Sequence, residues 1–514
     1  MPWCSTTWAT RRSWNACTAI AASCWRPARP AATITEAPAA ARRTPAQQVG
    51  LWLGPLIAAI FCLLPPSEGL PVEALRIAGL ALWMGIWWAT EAAPIAATSL
   101  LPLVFVPLMG AGTERQAGAP YANPIVLLLL GGSFIALAIE RWGLHRRIAL
   151  NVLVRVGDRP RAMVFGFMLA TAFISMWISN TATTLMMMPI ALSVAGASGG
   201  GRTAFAASMA LGVAYAASIG GVATPIGTPT NLIAMGWLKD NLGQAVSFAQ
   251  WMALGVPTML LLLPPAWALV TWRMGVAGGH DAAAADEIRR EHGALGRIES
   301  GEARVLAIFA VVIALWVLGE ALRGPLGLTG VTDMSVVMAG AVAMMVLPAG
   351  AQGRGRALLT WEEARQAPWA VVLLFGGGIS LAEAMERTQL AAWLGGQLGV
   401  LDGAPDVVLV LAVTALVIVL TEFMSNVASI TMLLPVLGVL AAATGTDPVA
   451  LIAPAAIAAS CGFMMPAGTG PNAVAYGTGM FTVARMMARG LGVNIAALLV
   501  LTAVGVWLAP LVLG

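Results

Sequence analysis

Two stretches of this chain carry the same polar residues inside apolar sequence. Residues 175–190 read SMWISNTATTLMMMPI and residues 421–436 read TEFMSNVASITMLLPV, so Ser179-Asn180 and Ser425-Asn426 fall at equivalent places. The same offset relates Gly131-Gly132 to Gly377-Gly378, Glu140-Arg141 to Glu386-Arg387, and Pro189 to Pro435. Further on, AASIGGVATPIGTPTN (216–231) returns as AASCGFMMPAGTGPN (458–472), with the offset shifted by a few residues. Hydroxyl, amide and carbonyl oxygens at breaks in apolar helices suit small hard cations. Helix N-termini stabilise anions through their free N–H groups and the dipole. No Lys, Arg or His occurs between Arg161 and Arg202, between Arg202 and Lys239, or between Arg387 and Arg485. The motifs therefore hold no cationic side chain for an anion, and a site of this composition binds one by first collecting cations.

A single Ser-Asn pair would mean little, because Ser and Thr in membrane helices commonly bond their own backbone or pack helices together. Duplication, with Gly/Pro breaks in both partner loops, points instead to a carrier built from two internal repeats. Other chemistry is thinly represented. Cys4, Cys17, Cys24, Cys62 and Cys461 form no CxxC or metal-ligand spacing, so neither a structural disulfide nor a zinc site is expected. His145, His280 and His292 fall in or beside polar loops, and there is neither an HExxH motif nor a nucleophile–base pair, which argues against a membrane hydrolase. A channel would show a continuous polar stripe, whereas these polar residues cluster at two points. The run GGGIS (376–380) is followed by no Lys-Ser/Thr and reads as close helix packing, as Met186-Met187-Met188 reads as core. Glu91 and Glu422 are carboxylates in apolar segments, costing about 2.5–3.5 kcal/mol each if unpaired at the bilayer centre. As ionisable groups they are candidate proton carriers. Glu140-Arg141 and Glu386-Arg387 read as helix-end ion pairs.

The elements that position these residues follow from composition. Apolar residues make up 59% of the chain and charged residues 10%, with a mean hydropathy of +0.83. No soluble domain hides that much apolar surface, so the expected fold class is an all-α polytopic membrane protein. Lys239 is the only lysine; the arginine bias reflects composition, and no nucleic-acid partner is expected. Stretches of about twenty apolar residues predict some eleven transmembrane helices, near 50–65, 72–90, 93–110, 124–140, 203–238, 251–274, 303–322, 332–348, 367–386, 448–482 and 489–512. Two stretches, 163–197 and 407–443, are nearly twice as long with the Ser-Asn pair near the middle, and each predicts a re-entrant helical hairpin. The chain then divides into a disordered N-terminal tail (1–48), a first repeat with its preceding helix (49–275, broken helix 203–238), a cytoplasmic linker (276–302), and a second repeat (303–514, broken helix 448–482). The arginine-rich connections 141–162, 273–304, 354–365 and 485–489 all fall on one side with the N-terminus in the cytoplasm and the C-terminus outside. The hairpins then open to opposite sides, as inverted repeats require.

SMWISNTATT, TEFMSNVASIT, the loops IGTPTN and AGTGPN, and WWATEAAP (87–94) together resemble the divalent anion:sodium symporter family over about residues 50–514. That resemblance implies a plasma-membrane carrier of C4-dicarboxylates (succinate, fumarate, malate), citrate or sulfate, coupled to sodium. It also implies a homodimer whose hairpin domain makes an elevator-like movement. A first sodium would be held by Ser175, Ser179, Asn180 and Gly227, and a second by Thr421, Met424, Asn426 and Gly468, several through backbone carbonyls. A small dianionic substrate would face Asn180-Thr181 and Ser425-Asn426-Val427, flanked by Thr228-Pro229 and Thr469-Gly470. Val427 stands where the family often has Thr, and Gly470 where it has Pro; both bear on which dianion is chosen. The same resemblance implies that Glu91 and Glu422 are structural supports instead of proton carriers, and that is the favoured reading. The leading expectation is import of C4-dicarboxylates with sodium; the alternatives are a sodium-independent dicarboxylate exchanger, or a carrier of citrate or sulfate, on the same fold.

Overall fold

The computed structural model describes residues 43–65, 70–197, 204–272, 274, 281–323, 330–350, 355–391, 393 and 405–514. Most of the expected tail, with Cys4, Cys17 and Cys24, lies outside the described residues, as do His280, Arg273 and Arg354. The chain separates into two units, 1–45 and 46–514, and the helical body is the second. Among the described residues every named element is helical, and isolated bridge residues, such as the pair Pro348 and Ala357, are the remaining extended features. Nine helices among them are long and apolar enough to cross a membrane. The protein is all-α and polytopic.

The first half contains α1 (Pro45–Leu63), α2 (Val72–Thr90), α3 (Pro124–Arg141), α4 (Leu144–Leu153), α5 (Pro160–Ser175), α6 (Asn180–Ala197), α7 (Ala204–Gly221), α8 (Pro229–Leu242) and α9 (Phe248–Thr271). A connecting helix, α10 (Ala282–Gly293), leads to α11 (Ser300–Arg323), α12 (Asp333–Val346), α13 (Trp369–Arg387), α14 (Asp406–Thr421) and α15 (Asn426–Thr444). The chain ends with α16 (Pro448–Ala458), α17 (Gly470–Gly477) and α18 (Val483–Ala503). The expected span near 93–110 is realised as two short helices, Ile95–Ser99 and Leu101–Leu108, with Pro102 and Pro107 in the second.

Each long polar-centred stretch is a pair of helices with a four-residue turn, α5/α6 around 176–179 and α14/α15 around 422–425. Each stretch with a Gly/Pro/Thr/Asn loop is a broken helix, α7/α8 and α16/α17. Helix α7 is buried at every residue from Ala206 to Gly221, and small side chains permit it. A Cβ at Gly220 would strike the Ala172 backbone of α5, so the two helices cross at backbone contact. The halves interlock: α17 packs on α6 and α7, while α8 packs on α15 and α16.

The arginine-rich face is pinned by carboxylates. Arg147, itself mostly buried, pairs with Glu302 and also donates to the Leu295 and Gly296 carbonyls. Glu363 receives both Arg141 (2.8 Å) and Arg356 (2.6 Å). Burial pushes the Glu363 carboxyl up, but hydrogen bonds from Thr360 and the two guanidinium groups outweigh it and hold it at about 2. The adjacent Glu-Arg pairs expected at helix ends are not pairs with each other: Arg141 reaches Glu363 and Arg387 reaches Glu383 at 3.0 Å. Successive residues on a helix point to different faces, whereas residues four apart share one.

Candidate functional site

Both hairpin tips end in an asparagine at the first position of a helix, and its amide is surrounded by oxygens. One end of the Asn180 amide lies 2.9 Å from Ser175 Oγ, 3.1 Å from the Ala217 carbonyl and 3.3 Å from the Gly227 carbonyl. The Asn426 amide lies 2.9 Å from Thr421 Oγ1, 3.2 Å from the Ala459 carbonyl and 3.0 Å from the Gly468 carbonyl. Ser175 donates to Ala217 O at 2.7 Å and Thr421 to Ala459 O at 2.6 Å, the same bond in each repeat. With nitrogen inward, an amide donates into such a cluster; with oxygen inward, four oxygens converge as a ligand set for a small hard cation.

Glycine makes the room. A Cβ at Gly221 would overlap the Asn180 amide, and one at Gly227 would meet the Gly221 backbone. The irregular backbone beside each cluster is satisfied within the protein, as membrane depth demands. Asn231 donates to the carbonyls of Gly221 (3.1 Å), Val222 (3.3 Å) and Thr224 (2.7 Å). Its counterpart Asn472 donates to Gly462 (2.8 Å) and Met465 (2.9 Å). Thr224 ties the first break loop to the hairpin through the Met176 carbonyl. In the second half Glu422 takes over that task. Its buried carboxylate accepts from Met464 N (2.9 Å), Met465 N (2.8 Å) and Asn494 Nδ2 (2.7 Å). The support role favoured for Glu422 matches this arrangement. Glu91 differs: α2 ends at Thr90, and Glu91 follows as an exposed left-handed residue (φ 51°), so it is not a buried carboxylate.

The two repeats meet here. Thr181 on α6 packs against Gly470 at the start of α17, where a Cβ would collide with its hydroxyl, and both residues are exposed. Thr228, ahead of α8, lies 3.4 Å from Ser460 Oγ of the second broken helix. Pro229 follows it, and Thr469 caps α17. Ser425 precedes α15, and Val427 is half-buried against the core. The N-termini of α6, α8, α15 and α17 thus belong to one locality that also contains both amide clusters.

Of the residues expected at the first cation site, the structure groups Ser175, Asn180 and Gly227; the Ser179 hydroxyl instead accepts the Ala182 N–H at the start of α6. At the second it groups Thr421, Asn426 and Gly468, while Met424 donates its N–H to Leu420 O. Ala217 and Ala459 join through carbonyls that no side chain advertises. Ser460 and Asn494 carry no motif signal of their own, although each is a lone polar residue in apolar sequence.

A family model described as the sodium:sulfate symporter transmembrane region matches residues 46–513. The sodium-dependent dicarboxylate transporter SdcS of Staphylococcus saprophyticus is 38% identical over 482 residues, covering 91% of this chain and 92% of that protein. The SdcS of Staphylococcus aureus strain N315 is 37% identical with the same coverage. Among solved structures, the YdaH transporter of Alcanivorax borkumensis aligns with a TM-score of 0.53 at 16% identity, covering 85% of this chain and 98% of that one. At that identity it is a likeness of fold alone.

Proposed function

The chain belongs to the family of the sodium:sulfate symporter transmembrane region, and from that premise we propose that it imports C4-dicarboxylates (succinate, fumarate, malate) together with sodium. It is a carrier and not an enzyme. The observation that carries the reading is the pair of amide-centred oxygen clusters, one at each hairpin tip. Ser175, Ser179, Asn180 and Gly227, joined by the Ala217 carbonyl, hold one sodium. Thr421, Met424, Asn426 and Gly468, joined by the Ala459 carbonyl, hold the other. The carboxylates of the substrate lie against Asn180-Thr181 with Thr228-Pro229, and against Ser425-Asn426-Val427 with Thr469-Gly470.

Physical chemistry connects the two ligand sets. A dianion brought into a low-dielectric site without compensating charge is prohibitively costly, and the motifs offer no cationic side chain. Four helix N-termini supply N–H groups and favourable dipole ends, and the sodium ions supply the missing charge. Substrate and sodium therefore stabilise each other's binding, which is the thermodynamic content of coupling. The two hairpins and broken helices move together against the remaining helices in an elevator-like step, and the carrier works as a homodimer in the inner (plasma) membrane. The N-terminus lies in the cytoplasm and the C-terminus outside, a reading supported by the side on which the arginine-bearing connections fall. Uptake of labelled succinate, citrate and sulfate into proteoliposomes, with and without an inward sodium gradient, tests the reading. Sodium-driven uptake in which succinate outcompetes the other two supports it; preferred uptake of sulfate or citrate replaces the substrate assignment.

A further inference from the structure

Threonine ahead of a helix ordinarily turns its hydroxyl back to accept an N–H two or three residues on. Thr469 does this, accepting Asn472 N at 3.2 Å. Thr228, its counterpart in the first repeat, makes no such bond. Its hydroxyl lies 3.4 Å from Ser460 Oγ, and the Thr230 hydroxyl lies 3.3 Å from that same oxygen. Ser460 and Thr230 are fully buried and Thr228 keeps 3% exposure, so the contact lies inside the protein at the wall of the site. It also crosses between the repeats, since Ser460 follows α16 while both threonines open α8.

The reverse contact does not exist. Ser218 is the counterpart of Ser460 in the AAS runs at 216–218 and 458–460, yet its buried hydroxyl has no hydrogen-bond partner. The second loop explains why. Pro471 stands where the first loop has Thr230, and Thr469 is already committed to its own helix. The two loops flanking the site are therefore unlike: Thr469 is fixed by its own helix, whereas Thr228 lies in a cluster of hydroxyls with Ser460 of the other repeat and Thr230, 3.5 Å away, of its own.

We propose that Ser460 is the positioning residue for Thr228, holding its hydroxyl away from its own helix N-terminus and so setting affinity for the dicarboxylate. This rests on the reading that Thr228 contacts substrate. The test is a double-mutant cycle with Ser460→Ala, Thr228→Ala and the combined variant, measured as initial rates of succinate uptake in proteoliposomes at saturating sodium. Each single variant is expected to raise KM about three- to tenfold, one hydrogen bond's worth. The combined variant is expected to be no worse than Thr228→Ala alone. An unchanged KM in Thr228→Ala overturns the contact between Thr228 and substrate. A raised KM in Thr228→Ala with none in Ser460→Ala, or additive effects in the combined variant, overturns the role of Ser460 and leaves that contact standing. If Ser460→Ala does not reach the membrane folded, Ser460→Cys, whose thiol is only a weak donor and acceptor, takes its place and must also raise KM; an unchanged KM there counts against the role.

Discussion

Replacing Ser175 by Ala removes one oxygen from the first cluster and little else. The Ser175 hydroxyl is buried, donates to the Ala217 carbonyl at 2.7 Å and lies 2.9 Å from the Asn180 amide. Alanine fits the same helical position, so α5 is retained. The loss to sodium is that of one ligand with its neighbour left unsatisfied, about 1–2 kcal/mol, which weakens the first site about five- to thirtyfold. When two ions bind together with substrate, half-saturation follows the geometric mean of the two affinities. The sodium concentration for half-maximal uptake should therefore rise about two- to fivefold. Thr421→Val removes the matching hydroxyl, which donates to Ala459 O at 2.6 Å, and should produce a shift of the same order. The assay is initial succinate uptake in proteoliposomes as sodium replaces choline at constant ionic strength. Unchanged sodium dependence in both variants, with folded protein present, would refute the assignment of these clusters to cations.

Gly221→Ala places a methyl group on the Asn180 amide and should abolish uptake, whereas Gly477→Ala, where a Cβ meets nothing, should be tolerated; equal activity of the two would contradict the packing argument. Glu422→Leu leaves three N–H donors without an acceptor, the buried Asn494 amide and the half-buried Met464 and Met465, at about 1–3 kcal/mol for a buried one, and should lower the melting temperature in detergent well below that of Glu422→Gln. Glu363 gives a pH signature. Its folded value of about 2 lies below the ordinary 4.5, so its stabilising contribution is complete above 4.5 and is lost as pH falls towards 2. Melting temperature should therefore drop over that window more in the native protein than in Glu363→Gln, and this group should add no slope near neutrality.

Much of the fold was legible because membrane depth forces helix wherever the chain is apolar. The two stretches too long for one span, each with Ser-Asn at its middle, foretold the helix pairs α5/α6 and α14/α15. The Gly/Pro/Thr/Asn loops foretold the breaks in α7/α8 and α16/α17. What stayed hidden has physical causes. Ala217 and Ala459 take part through carbonyls, which every residue owns, so no residue type marks them. The donors to Glu422 come from a loop about forty residues away and from Asn494 on the last long helix, contacts that only tertiary packing creates. Glu91 misleads because its apolar neighbours continue the hydropathy pattern past the point where α2 ends. The Glu-Arg doublets repeat faithfully in sequence, yet each arginine finds its partner elsewhere, because adjacency along a helix is not adjacency in space.

The most direct test of the central claim is sodium dependence of exchange itself. Vesicles are preloaded with unlabelled succinate, and entry of labelled succinate is followed in sodium buffer and in sodium-free choline buffer. Rapid counterflow is expected with sodium on both sides and essentially none without it, because only sodium supplies the positive charge that these motifs lack. Counterflow at full rate in choline would contradict it and make the protein a sodium-independent exchanger.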